Sequence, residues 1–195
     1  MKSLHARVTS IEGPLARCTA MTWRARVTLA ALLAGLCAAP AWAHSASDAY
    51  LTLTADRGAA TARTLVHGQW DVALRDLDFA LTLDADGDGA IRWSEVRARE
   101  AAIARYVYRA LAVRGDGAAC RIVPGSQKIA EHADGAYAAL FFDIACDGRA
   151  SALTLDYALF FAIDPSHRGI VVIRTGDDVA TALLAPERRS VRWTP

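Results

Sequence analysis

Asparagine is absent from the 195 residues, and lysine occurs only at positions 2 and 128. The first absence excludes N-linked glycosylation, which needs an Asn-x-Ser/Thr acceptor; we read both as the composition of the coding genome. There is no block of basic residues, and positions 44–195 carry 17 Lys and Arg against 20 Asp and Glu, a net charge of about −3. Nucleic acid is therefore not an expected partner. Beyond residue 44 the longest apolar stretches, Ala136 to Phe142 and Tyr157 to Ile163, fall far short of the roughly 20 residues that a spanning helix requires. Neither Gly-x-Ser-x-Gly nor His-Glu-x-x-His occurs, so neither a nucleophile elbow nor a zincin helix is written in the chain.

The first 43 residues are of a different kind. They hold five Lys and Arg against one acid and pass into the uncharged run VTLAALLAGLC, which is the layout of a secretory leader. Ala41-Trp42-Ala43 supplies small residues at the two positions a signal peptidase reads, so cleavage is expected before His44. Met21 begins a shorter and more usual n-region and is the alternative start. Lipidation at Cys37 is not expected, because Leu36 stands where a small residue is required. As an uncleaved anchor Val27 to Ala43 would be about long enough for a thin bilayer, but Pro40 argues against a regular helix there. The mature chain, 44–195, is of a size that folds as one domain. It is expected in the periplasm or outside the cell.

Two cysteines, Cys120 and Cys146, remain after cleavage. In an oxidising compartment they are expected to join, which on the chain-entropy account stabilises by roughly 3 to 4 kcal/mol. Segments 49–55 and 62–74 have strand character, 76–83 and 94–113 have helical spacing, and strand-like runs follow from 120, 136, 152, 169, 179 and 190. Ile103, Val107 and Leu111 form one face of the longer helix, and Gly115-Asp116-Gly117 is read as its stop. Phe141, Phe142, Phe160 and Phe161 are read as sheet core. The expected class is α+β: a β-sandwich-like domain with a helix-loop-helix inserted at about 75–112.

The loop of that insertion is DADGDGAIRWSE, residues 84–95. It fits D-x-[DN]-x-[DN]-G-x5-E at every required position and resembles the EF-hand family of calcium loops. The spacing has a chemical reason, since a hard divalent cation takes six to eight oxygens at about 2.3 to 2.6 Å and a wrapped loop turns alternate residues inward. Asp84, Asp86 and Asp88 each supply a carboxylate oxygen, Ala90 its backbone carbonyl, and Glu95 both carboxylate oxygens. Gly89 stands where the chain must take a positive φ. The ion implied is Ca2+, because a bidentate glutamate suits a larger ion than magnesium. Arg92 departs from the pattern by placing a cation at the ninth position, and no partner loop follows: the stretches from 116 and 147 lack the acids. Binding is accordingly expected to be weak, about 10⁻⁵ to 10⁻³ M, with the ion acting as a structural clamp. Four carboxylates otherwise repel by about 1 kcal/mol per pair at roughly 4 Å even in water.

Other constellations are weaker. The amine and imidazole of a new amino terminus at His44 together chelate copper or nickel, yet His67, His132 and His167 fall on separate segments with no spacing that converges on it. Asp164-Pro-Ser-His-Arg-Gly169 is read as an ordinary turn between strands, because residues adjacent in sequence seldom converge as nucleophile, base and orienter. No enzymatic activity is expected.

Taken together, AHSASDAYLTL from 43, GQWDVALRDLD from 68, DGAYAALFF from 134, LDYALFFAIDPSHRGIVVI from 155 and APERRSV from 185 resemble the periplasmic amino-terminal region of HupE/UreJ family proteins. The resemblance implies an extracytoplasmic domain ahead of a bundle of membrane helices, in a family of which some members take up nickel or cobalt. On that alternative, the domain handles metal or contacts a membrane protein, either as a partner or as a C-terminal membrane domain of the same chain.

Overall fold

The computed structural model describes residues 47–55 and 63–195, which belong to one compact unit, His44–Pro195. The expected leader, Met21, Cys37 and His44 lie outside the described residues. Among the described residues the elements are β1 (Asp48–Ala55), β2 (Leu65–Ala73), α1 (Leu74–Leu81), α2 (Trp93–Tyr108), β3 (Leu111–Gly115), β4 (Ala118–His132), β5 (Gly135–Ala145), β6 (Leu153–Tyr157), β7 (Arg168–Thr175), β8 (Asp178–Leu184) and β9 (Ser190–Trp193). The fold is a β-rich α+β architecture, in the class the sequence led us to expect.

The strands form one sheet in the order β8-β7-β1-β2-β5-β4-β3-β6-β9. Neighbours are antiparallel except β1 and β7, which run parallel. The sheet curls until its edge strands β8 and β9 approach within 8 Å, so it is nearly closed. Period-two alternation decides what faces inward. Ala49, Leu51, Leu53 and Ala55 are buried along β1, and Leu153, Leu155 and Tyr157 along β6, while the residues between them are only half-buried. Trp70 and Tyr157, both buried, meet at 5.4 Å between ring centroids. Helix α2 adds Val96, Ile103 and Val107, and α1 adds Leu74 and Leu77. No helix among the described residues is long and apolar enough to cross a membrane.

Strand β4 joins the two parts of the sheet: Ala118–Cys120 pair with β3, and Arg121–His132 pair with β5. Since Arg121 lies opposite Ala145, Cys120 and Cys146 stand at the next pair of positions. They are joined in a disulfide with 4.3 Å between Cα atoms.

Several local expectations are corrected. The long helix ends at Tyr108, and Leu111 belongs to β3, where Leu111, Val113 and Gly115 alternate inward. Asp116-Gly117 is not a helix stop but a two-residue hairpin turn, both residues having positive φ (47° and 91°), the geometry that matches strand twist. The Asp116 carboxylate accepts hydrogen bonds from the Ser151 N–H and hydroxyl, each at 2.7 Å. β6 stops at Tyr157, and the chain turns through 158–163 with Phe160 at φ 58°. Phe160 and Phe161 are therefore core residues on a connection rather than on a strand. Phe141 lies on the sheet's other face, half-buried beneath Lys128, and Phe79, placed by spacing with the apolar residues of α1, is 78% exposed.

The disulfide spans 26 positions in sequence. Replacing both cysteines by alanine is expected to lower unfolding stability by about 3 kcal/mol. Urea titrations of parent and variant measure it.

Candidate metal centre

The acidic loop begins from a fixed point. Helix α1 ends where Thr82 takes a left-handed conformation (φ 53°) and donates its N–H to the Asp78 carbonyl at 2.7 Å. Leu83 is fully buried. The Asp78 carboxylate then accepts the Asp84 N–H at 2.9 Å. Asp78 was missed at the level of sequence, because it lies outside the twelve-residue pattern.

Within the loop the carboxylates organise the backbone. Asp84 accepts the N–H groups of Gly87 (2.8 Å) and Gly89 (2.9 Å), Asp86 that of Asp88 (3.2 Å), and Asp88 that of Ala90 (2.9 Å). Gly89, as expected, has a positive φ of 85°. Glu95, in the first turn of α2, accepts the Ala85 and Arg92 N–H groups, each at 2.8 Å. It thereby ties the loop's entry to its exit.

Asp84, Asp86 and Asp88 present carboxylate oxygens that all lie within 4.8 Å of one another, a set that could hold a metal ion. Glu95 is not in that set, its two oxygens being turned to backbone N–H groups. Arg92 supplies the neighbouring cation: its guanidinium contacts Asp88 at 2.5 Å and Asp86 at 3.7 Å. The Arg92 hydrogen bond, with a second from the Ala90 N–H, holds the Asp88 carboxyl below the usual carboxylate range. The donor set fits a hard divalent cation, because it consists of clustered anionic oxygens. For the carboxylate oxygens on the Arg92 side to reach such an ion, the guanidinium has to give way.

Among the described residues the histidines do not converge. His67 pairs with Asp143 at 2.7 Å on the surface, and His132 pairs with Asp71 at 3.0 Å while stacking on Tyr50 at 4.9 Å. His167 differs from both. The 164–166 segment is the expected turn, with Asp164 accepting the Ser166 N–H and hydroxyl (2.8 and 2.6 Å), but the His167 ring is fully buried. Its Nδ1 lies 2.8 Å from Ser47 Oγ, its Nε2 lies 2.7 Å from the Tyr157 hydroxyl, and Ser47 donates to Asp76 at 2.9 Å.

Counting donors orients this relay. Ser47 has one hydroxyl proton, given to Asp76, so its contact with His167 requires the imidazole to donate from Nδ1. The neutral ring then accepts the Tyr157 proton at Nε2. Burial lowers the His167 pKa to about 4, with Arg168 acting in the same direction and Asp164 opposing it. Burial also raises Tyr157 well above an ordinary phenol, which keeps its donor proton in place. Asp76 is raised chiefly by burial and further by Asp164, against the Ser47 hydrogen bond and Arg75. Ser, His and Asp here are not ordered as a nucleophilic triad, in which the carboxylate orients the imidazole and the imidazole activates the serine. The carboxylate instead bonds the serine, and the far side of the ring is closed by Tyr157.

No protein-family model and no curated protein sequence matches this chain. The site is therefore read from its own residues: a β-rich α+β domain with one clustered acidic loop and one buried polar relay.

His167 binds a proton more readily in the unfolded chain, whose ordinary value is 6.5, than in the fold, at about 4. Its contribution is complete above pH 6.5 and is lost as pH falls towards 4, amounting to about 3 kcal/mol over that window. Melting temperature is expected to fall between pH 7 and 4.5, and the slope is expected to flatten in His167→Asn even though that variant starts less stable.

Proposed function

We propose that this is an exported, non-enzymatic calcium-binding domain, with residues 75–112 acting as a single EF-hand inserted in a sandwich-like β architecture. The observation that carries the reading is the grouping of the Asp84, Asp86 and Asp88 carboxylates within 4.8 Å of one another. Ca2+ would be held by those three side chains, the Ala90 carbonyl and Glu95, and would supply charge neutralisation and cross-linking between α1 and α2. Glu95 exchanges its backbone hydrogen bonds for the ion, and Arg92 leaves Asp88. Both exchanges cost binding energy, which supports a weak site occupied steadily where calcium is abundant. The disulfide is compatible with an oxidising compartment.

The second reading, a metal-handling or interaction domain serving a HupE/UreJ-like membrane protein, is favoured by one observation. The segments from 43, 68 and 155 on which that resemblance rests contribute Ser47, Asp76, Tyr157 and His167 to one hydrogen-bonded relay. Fractionation of the native protein separates the two: release by osmotic shock supports the first reading, and retention with the membrane supports the second.

At calcium about 100-fold above its Kd, stabilisation by about 2.7 kcal/mol is expected, which is a rise in melting temperature of roughly 5 to 10 °C. Glu95→Gln is expected to abolish the rise. Scanning calorimetry of parent and variant, with and without calcium, measures it, and an unshifted parent refutes the calcium assignment.

A further inference from the structure

A cavity of about 500 Å3 opens beside the relay, lined by Arg75, Asp76, Asp164, Phe79, Phe160 and Ile163 among others. The geometry points to a binding site for a small organic amine: a molecule with a protonated amino group set against Asp76 and Asp164 and an apolar body set against Phe79, Phe160 and Ile163. The site is separate from the acidic loop and does not depend on the calcium reading.

Three features of the cavity lead there. Its charge is unbalanced. Asp164 is held below the usual carboxylate range because hydrogen bonds from Ser166 outweigh its partial burial, so it is ionised at neutral pH. Arg75 is the basic residue that lines the cavity beside the two carboxylates. Arg75 lies 3.6 Å from Asp76 but is shared with Asp134 at 3.2 Å. One guanidinium thus stands among three carboxylates, and Asp76 is raised chiefly by burial and in part by the charge of Asp164. A further cation in the cavity relieves that repulsion.

The relay is the second feature. Tyr157, His167 and Ser47 pass hydrogen bonds in one direction, and the last is delivered to Asp76 Oδ2. Asp76 is therefore anchored from behind on buried groups. A carboxylate fixed in this way keeps its geometry when a ligand arrives, so little ordering entropy is spent on it.

The third is the wall. Phe79 is 78% and Ile163 45% exposed, whereas Phe160 is buried. Two large apolar side chains left in water at the border of a concave site have surface to gain from an apolar ligand. A volume of this size is within the range of small-molecule sites and too small for a folded partner. An anion would meet the carboxylates, and a neutral apolar molecule would leave them uncompensated. The amine is the class that satisfies both walls.

The test uses 2-phenylethylamine with the whole mature chain at pH 7.5, in calcium so that the acidic loop is occupied by metal. NMR amide shifts follow the titration, with 2-phenylethanol and phenylacetate as neutral and anionic counterparts. Saturable binding with Kd of about 0.1 to 1 mM is expected for the amine, at least 10-fold tighter than for the alcohol, with shifts centred on 47–51, 75–80 and 158–168. Asp76→Asn and Asp164→Asn are each expected to weaken the amine about 10-fold, and Phe79→Ala, at an exposed position, about 3- to 5-fold. Asp143→Asn, on the surface beside His67, is expected to change nothing. Equal affinity for amine and alcohol, tighter binding of phenylacetate, or no saturation by 20 mM amine overturns the assignment. If Asp76→Asn fails to fold, Asp164→Asn and the alcohol comparison decide the question alone.

Discussion

Along β1, β6 and β7 of a sheet that curls nearly shut, every second residue is buried, and this constraint does not stop where hydrogen bonding between strands ends. Continuing the inward parity of β1 back by one step from Ala49 gives Ser47, and that of β7 back from Gly169 gives His167. The parity of β6 ends on Tyr157. Three polar side chains thus arrive at one end of the apolar interior, where unpaired they would cost about 1 to 3 kcal/mol each. They satisfy one another, and Asp76 at the start of α1 takes the last proton.

Electrostatics at the acidic loop work in the opposite way, by exposure instead of burial. The Arg92 guanidinium contacts Asp88 and Asp86 at the exposed surface, and such exposed pairs contribute little to stability. On the proposed calcium reading, the Arg92 contacts are among those that an ion would have to displace. Glu95 acts similarly. Its carboxylate braces Ala85 and Arg92, so the loop's entry and exit are held together by hydrogen bonds of the chain itself.

How much of this was legible in the sequence differs by scale. The class, the positions of most strands, the disulfide pair and the acid spacing of residues 84–95 follow from local pattern, because alternation and ligand spacing are local properties. Leu111 was misread because positions 103, 107 and 111 satisfy a helical period while 111, 113 and 115 satisfy an alternating one; pairing of β3 with both β4 and β6 decides between them. The Phe160–Phe161 pair looked like strand because nothing in an apolar run reports a left-handed turn at Phe160. His167 was assigned to a plain turn, and its burial required knowing that β7 begins at Arg168 and that β1 lies beside it in parallel. The relay and the cavity are products of that long-range pairing, so no spacing within a single segment encodes them.

Helix α1 places the two regions in mechanical contact. It has eight residues, too few for a helix to hold its own shape in water, so its position is set by its attachments. Leu74 and Leu77 anchor it to the core. Asp76, in the first turn, is fixed by Ser47, and Asp78, one turn before the helix ends, is fixed to the start of the acidic loop through the Asp84 N–H. Two residues apart on a helix, these carboxylates point to different sides, so one element presents the cavity on one side and the acidic loop on the other. The same short segment carries Asp76 and Phe79. A short, marginal helix is thus held from one end by the polar relay and from the other by the acidic loop.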